Sequence, residues 1–279
     1  MTGMKPGNDM HSELIHKLAS LVGKDILKYD DIFLLQAVTG RLAATGKAGI
    51  EEYLSMLQTE TTEKELFKAT LNVSYTEFFR NSVTYAYLET VILPHLVINK
   101  INNNRNLLRI WSAGCSTGQE AYSVAFILED LKSSMLKPFS FIIFATDISP
   151  DNIARASEGS YPAQDLDNVP MKNVSKYFEK KGNKYIVQKR IMETIRFAVF
   201  DLLDASAASP PDAVFGDFDL IICGNLLLYY NEDIRNRMIA KLSKSLNSKG
   251  FLACGESERE IILTHGFHEV FPHSSIFNQ

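Results

Sequence analysis

The sequence contains no apolar run long enough to span a bilayer, so no membrane insertion is expected. Cysteine is scarce: Cys115, Cys223 and Cys254 are the three present, odd in number and far apart. That pattern excludes a disulfide framework and fits free thiols in a reducing cytoplasm. Each falls in or beside an expected strand, so a buried small hydrophobe is the better reading than a nucleophile or a metal ligand. No metal site is expected. Dense positive charge is also missing. Against 29 Lys and Arg stand 33 Asp and Glu, a net charge of −4, with no basic stripe. No nucleic-acid partner is expected from that balance. No Ser-His-Asp or Cys-His set stands out. Met1 to Met10 is polar and carries Pro6 and Gly7, so it is no signal peptide; disorder is expected there.

What the chain does have is a 46% apolar composition, enough for a real core, and one stretch around which it is organised. Leu107 to Trp111 is a short apolar run, as expected of a buried strand. Ser112 to Gly118 is a small-residue turn. From Gln119 the spacing of Ala121, Val124, Ala125 and Leu128 is helical. Strand, Gly-rich turn and helix in that order place Gly114 and Gly118 where a ligand can approach the backbone, beyond the carboxyl end of a strand. The glycines are four apart, so this is not G-x-G-x-x-G. No Lys follows Gly118, so it is not a phosphate-binding P-loop. A tight turn with no ligand is the bland alternative.

Periodicity divides the rest. Residues 11–80 carry successive amphipathic helices around Leu14 to Val22, Ile32 to Leu42, Ile50 to Leu57 and Glu63 to Leu71, with no strand signal, and are expected to form a small all-α domain. Residues 81–106 form a linker helix and an Asn-rich connector. From 107 to 279 strands and helices alternate, the α/β signature. Apolar strands are expected at Phe139 to Ala145, Thr194 to Phe200, Phe218 to Cys223 and Gly250 to Cys254, with edge strands in the tail. Around 160–193 the rhythm is interrupted by a polar turn, Lys180-Lys181-Gly182-Asn183, between short strand-like runs; a small inserted antiparallel subdomain is expected. Asp147 sits just past the second strand, placed to accept hydrogen bonds from two ribose hydroxyls; a helix cap is the alternative.

Four stretches occur together: Thr76-Glu77-Phe78-Phe79-Arg80, Trp111 through Glu120, Ala145-Thr146-Asp147-Ile148-Ser149 and Asn225-Leu226-Leu227-Leu228-Tyr229. In order and spacing they resemble the chemotaxis receptor methyltransferase family, CheR. The resemblance implies a class I methyltransferase domain of Rossmann-like, doubly wound α/β type, with a small β subdomain inserted and an all-α domain before it. It also implies the reaction: S-adenosylmethionine gives a methyl group to glutamate side chains of chemoreceptors in the cytoplasm, leaving methyl esters and S-adenosylhomocysteine. A carboxylate is already a nucleophile at neutral pH, its pKa being about 4.3, so the missing catalytic base is expected.

By that resemblance Ser74, Thr76 and Arg80 lie at the cofactor and acceptor end, Ser74 standing where Asn is common. Gly114 lies in the turn under the cofactor, Glu120 faces its cationic methionine end and Asp147 takes the ribose. Asp201 and Leu202 match a pair near the adenine. Gly224 and Asn225 follow the fourth strand, and Tyr229, with Arg80, is implied at the point of methyl transfer. Gly224 replaces an Arg usual in the family. The helix from Ile32 to Leu42 carries only Arg41, whereas the family's counterpart is often Arg-rich and meets the receptors' methylation helices. A nicotinamide-dependent oxidoreductase shares the Gly turn and strand-two acid but does not explain Phe78-Phe79-Arg80. A cofactor-binding or receptor-docking protein with weak or lost transferase activity is the non-enzyme alternative. The turn from Lys180 to Lys184 lacks the extra glycines of members that grip a receptor's C-terminal tether peptide. Recognition is therefore predicted to be tether-independent, and calorimetric titration with such a peptide should give no tight binding.

Overall fold

The computed structural model describes residues 6–213 and 216–279, and the backbone groups into two units. One comprises the chain up to Val73 together with Leu228–Asn236. The other comprises Ser74–Leu227 and Arg237–Gln279.

The first unit is helical: Pro6–Val22, Asp31–Thr45, Ile50–Thr59 and Thr61–Thr70, with a 3-10 turn at Lys24–Lys28. The first helix starts inside the stretch expected to be disordered. Proline is tolerated in a first turn, where its missing N–H has no partner to lose, so Pro6 does not prevent a helix; residues 1–5 lie outside the described residues. Asp30 caps the second helix by accepting the Ile32 N–H at 2.9 Å. Leu18, Leu34, Val38, Tyr53, Leu54, Leu57 and Phe67 form the core. Within it Glu63, 3% exposed, accepts Arg41 Nε at 2.8 Å, Arg41 Nη2 at 2.7 Å and the Tyr53 hydroxyl at 2.8 Å. The segment Leu228–Asn236 belongs to this unit. Tyr230 stacks on Tyr29 at 5.3 Å, Tyr229 packs on Phe33 at 4.9 Å, and Arg235 pairs with Asp30 at 2.9 Å.

The second unit starts at Ser74, seven residues before residue 81, where periodicity ends the helical domain. The reason is Phe78: fully buried, its ring meets Tyr161 at 5.0 Å and Phe178 at 5.8 Å. The helical stretch that follows, Ser82–Tyr87 to Leu93–Asn102 through a π-turn at Leu88–Ile92, also belongs here. The strands are β1 (Leu107–Ala113), β2 (Ser140–Asp147), β3 (Ser160–Pro162), β4 (Phe178–Lys181), β5 (Lys184–Val187), β6 (Ile195–Val199), β7 (Phe218–Cys223), β8 (Leu246–Cys254), β9 (His268–Glu269) and β10 (Ile276–Asn278). Seven form one sheet in the order β6-β2-β1-β7-β8-β10-β9, and three form the inserted sheet β3-β5-β4. From β6 to β8 all neighbours are parallel, while β10 runs antiparallel to both its neighbours. β7, between two parallel strands, is buried at every position, as an inner parallel strand must be. No helix among the described residues is long and apolar enough to cross a membrane.

The Glu63 cluster has a testable cost. Its hydrogen bonds from Arg41 hold the Glu63 carboxyl below the ordinary 4.5, against the opposing effect of burial. A depressed carboxyl stabilises the fold above its unfolded pKa, and that stability is lost as pH falls through the lower folded value. Glu63→Gln should therefore cost the helical unit about 3 kcal/mol at neutral pH, by leaving Arg41 without its counter-charge. It should also flatten the acid limb of a urea-unfolding series; an unchanged midpoint would show the pair contributes nothing net.

Candidate functional site

Strand register builds the site. β1 and β2 pair from Leu107↔Ser140 to Ala113↔Thr146, so their carboxyl ends finish side by side. β6 continues beyond, with Asp147 opposite Val199, and β7 lies on the other flank of β1, with Ser112 opposite Ile222. The chain moves outward through β1, β2 and β6 and then returns to β7. The order therefore reverses between β1 and β7, where an open α/β sheet leaves a ligand crevice past its strand tips.

The turn after β1 is held by β2. Gly114 and Cys115 donate their N–H groups to the Thr146 carbonyl at 2.8 and 2.9 Å. Gly114 has φ +79°, and a Cβ there would stand 2.9 Å from Leu226 Cδ2, so glycine is needed on both counts. Ser116, at φ 49°, donates its N–H to Asp147 Oδ2 at 2.9 Å. Asp147 Oδ1 accepts from Ser149 N–H at 2.9 Å and from Asn152 Nδ2 at 3.1 Å. Ser149, not Asp147, caps the following helix, accepting the Asn152 N–H at 3.3 Å. A carboxylate has about four acceptor sites, and these bonds leave one of them, on Oδ2. Asp147 thus has room for an incoming hydroxyl on Oδ2 without breaking a bond of its own.

Glu120 opens the helix Gln119–Ser134, and its Oε1 accepts the Ser112 hydroxyl at 2.5 Å. Its carboxyl is pushed up to about 7, chiefly by burial and further by the field of Glu258; the Ser112 hydroxyl, the Arg80 charge and the Gly224 N–H oppose the rise. A Cβ on Gly224 would lie 3.0 Å from Glu120 Oε2. The exposed Arg80 guanidinium lies 4.9 Å from the Tyr75 ring and donates to the Tyr75 carbonyl at 3.4 Å. Arg80 makes no ion pair with a carboxylate among the described residues. Phe79 before it sits at φ 51°, unusual for a bulky side chain, with its N–H held by Ser123 Oγ at 3.0 Å.

Residues 74–273 match the family described as CheR methyltransferase, SAM binding domain. The chain belongs to this family. It is 29% identical to the chemotaxis protein methyltransferase of Borreliella burgdorferi, covering 90% of this chain and 88% of that one. To the namesake protein of Listeria monocytogenes it is 27% identical, covering 85% of each. To chemotaxis protein methyltransferase 1 of Pseudomonas aeruginosa it is 28% identical, covering 76% of each. The chain is thus an S-adenosylmethionine-dependent methyltransferase, and the nicotinamide reading is set aside.

Of the residues singled out from the sequence, Gly114, Glu120, Asp147, Asp201, Leu202, Gly224 and Asn225 lie in the segments that follow the tips of β1, β2, β6 and β7. Asp201 is exposed and closes its own turn by accepting the Leu203 N–H at 2.8 Å. Ser74 is exposed, and its carbonyl accepts the Ser116 hydroxyl at 2.8 Å, tying the Thr76 segment to the turn. Tyr229 belongs to the helical unit. The three cysteines are free and buried, and burial pushes each thiol up, which suits packing rather than nucleophilic chemistry.

One residue was missed from the sequence. Glu258, fully buried, accepts the backbone N–H groups of Asn225 at 2.8 Å, Leu227 at 2.7 Å and Gly255 at 2.8 Å. It fixes the loop after β7, where Asn225 takes φ 59°. The one trace in the sequence is a capping spacing, Gly255 followed three residues later by Glu258. Glu258→Ala would strand buried N–H groups at about 1–3 kcal/mol each. We expect a clear fall in thermal midpoint and, from loss of the loop, weaker S-adenosylhomocysteine binding in calorimetry. Unchanged affinity would show that the loop does not shape the crevice.

Proposed function

We propose that this methyltransferase esterifies glutamate side chains on the cytoplasmic methylation helices of chemoreceptors, with Arg80 at the acceptor and the strand-tip residues at the donor. The reading is carried by two opposite poles of charge. Glu120 suits the cationic end of the donor, and Arg80, unpaired with any carboxylate among the described residues, suits a carboxylate. S-adenosylmethionine supplies a methyl group on a sulfonium: the carboxylate oxygen bonds to the methyl carbon as the carbon–sulfur bond breaks, its electron pair staying on sulfur, and no proton moves. The protein's part is to align and to exclude water, which supplies on the order of 7–11 kcal/mol. Arg80 holds the acceptor carboxylate. Asp147 holds one ribose hydroxyl, Asp201 and Leu202 border the adenine, and the 112–118 turn with Ser74, Thr76, Gly224 and Asn225 lines the floor. Tether-peptide binding forms no part of the proposal.

Two outcomes are expected. With labelled S-adenosylmethionine and receptor-containing membranes, base should release label as methanol. Arg80→Ala should lower kcat/KM by about one to two orders of magnitude while S-adenosylhomocysteine affinity is kept; base-stable label would rule out an ester. Second, a cation beside Glu120 favours its ionised form, so donor binding should release protons near pH 7. Affinity should rise with pH through about 7 and level off above it. Calorimetry in buffers of different ionisation enthalpy reads the proton count directly, and Glu120→Gln should abolish it.

A further inference from the structure

A groove of about 350 Å³ lies in the second unit, between the segment after β6 and the helix Glu232–Ser245. Leu202, Leu203 and small residues such as Ala205 and Ala240 give it an apolar floor. Its charge is all of one sign. Arg237, Lys241 and Lys244 line it, and no acidic side chain among the described residues does. Arg235 of the same helix is spent on Asp30, but these three make no ion pair with a carboxylate among the described residues. Arg237 Nη2 donates to the Leu203 carbonyl at 3.5 Å, and Lys241 Nζ donates to the Asp204 carbonyl. Those carbonyls turn the two cations across the groove without neutralising them. The acids nearby are turned into their own loop: Asp201 accepts the Leu203 N–H at 2.8 Å, and Asp204 accepts the Ser206 N–H at 2.8 Å and its hydroxyl at 2.7 Å. Burial pulls the half-buried Lys241 amine below its ordinary 10.5 and the Arg237 charge adds to that, against the opposing fields of Asp204 and Asp201. A carboxylate arriving in the groove would relieve both.

We propose that this groove docks an acidic helical segment of the polypeptide substrate, away from the glutamate that receives the methyl group. The inference rests on the methyl-transfer reading above. From residue 237 to residue 244 the helix rises about 10 Å, so one small anion cannot meet all three cations. Spaced four and then three residues apart, the cations share one helix face. Carboxylates at the same spacing on a second helix match them, and that helix can rest its small apolar side chains on the floor between. A flat bilayer surface does not enter a concave groove whose cations are turned toward its opposite wall. The helix Asp31–Thr45 offers no substitute, because its Arg41 is bound to Glu63.

The test uses the full chain with S-adenosylhomocysteine bound. The probe is an alanine-based helical peptide with glutamates four and three residues apart on one face. One control carries glutamine at those positions, and another scatters the same glutamates round the helix. Calorimetry should show binding of the one-faced glutamate peptide, weakening with added salt, and far weaker binding of both controls. Carbodiimide coupling should join the bound peptide to Lys241 or Lys244. Equal binding of all three peptides, or coupling to other lysines alone, overturns the groove. So does binding of phosphatidylglycerol vesicles, in place of the peptide, that Lys241→Glu with Lys244→Glu abolishes. Methyl transfer to the receptor's cytoplasmic fragment supplies a second reading. That paired charge reversal should raise KM about tenfold, with kcat and S-adenosylhomocysteine affinity held. If it lowers the melting temperature, Lys241→Met with Lys244→Met keeps the stems and removes the charge, and KM should still rise. An unchanged KM overturns the proposal. If wild-type protein transfers no methyl group yet the peptide still couples at Lys241 or Lys244, the methyl-transfer reading fails while the acidic-helix groove stands.

Discussion

The hydrogen bond from the Ser116 N–H to the Asp147 carboxylate is the tie on which the crevice depends. It joins the turn after β1 to the tip of β2 and can form because the two strands end in register. The turn's earlier N–H groups are already committed to the Thr146 carbonyl, and beneath them Trp111 Nε1 donates to Thr146 Oγ1 at 2.9 Å, fully buried. The turn cannot move without breaking bonds in a dry environment, where an unmade bond costs about 1–3 kcal/mol. Positive φ at Ser116, where glycine's freedom is missing, is the conformational cost of that arrangement. The result is a preorganised rim: the orientation of Asp147 is set by the protein's own hydrogen bonds. Preorganisation of this kind means that binding a ligand requires little further ordering of the backbone.

Much of this rim was legible in the sequence, because apolar runs followed by small or acidic residues mark strand tips. Gly114, Glu120 and Asp147 each sit within a few residues of such a run, and the register carried them together. What stayed hidden depends on contacts across sequence distance. Glu258 acts on backbone N–H groups of Asn225 and Leu227, and backbone groups leave no residue signature at the partner position. The boundary at Ser74 was hidden for a similar reason. Phe78 looks like any aromatic beside a helix until the inserted subdomain brings Tyr161 and Phe178 against it. The grouping of Leu228–Asn236 with the helical unit follows from stacking of Tyr230 on Tyr29 and pairing of Arg235 with Asp30, links no periodicity encodes.

Charge is distributed in a way composition alone conceals. The Arg on the helix Asp31–Thr45 is spent internally on Glu63, so that face has no free guanidinium to offer an acidic helix. Arg80 is the opposite case: exposed, held by the Tyr75 ring and carbonyl, and in no ion pair with a carboxylate among the described residues, although its field reaches Glu120. A ring and a carbonyl orient a guanidinium without neutralising it. A chain with a small net negative charge can therefore still present a directed, exposed positive group.

The glycine at 224, where the family usually has arginine, completes the same logic. A Cβ there would lie 3.0 Å from Glu120 Oε2, so any side chain at this position would start crowded against that carboxyl. With glycine there, burial and the field of Glu258 raise the Glu120 carboxyl to about 7, with the Ser112 hydroxyl, the Arg80 charge and the Gly224 N–H as the opposing influences. The carboxyl is left poised near neutrality. On the proposed placement of the donor beside Glu120, a ligand bearing an ammonium and a sulfonium would supply the missing positive charge and strengthen its own hold by ionising Glu120. A neutral analogue would leave Glu120 protonated and gain nothing from it.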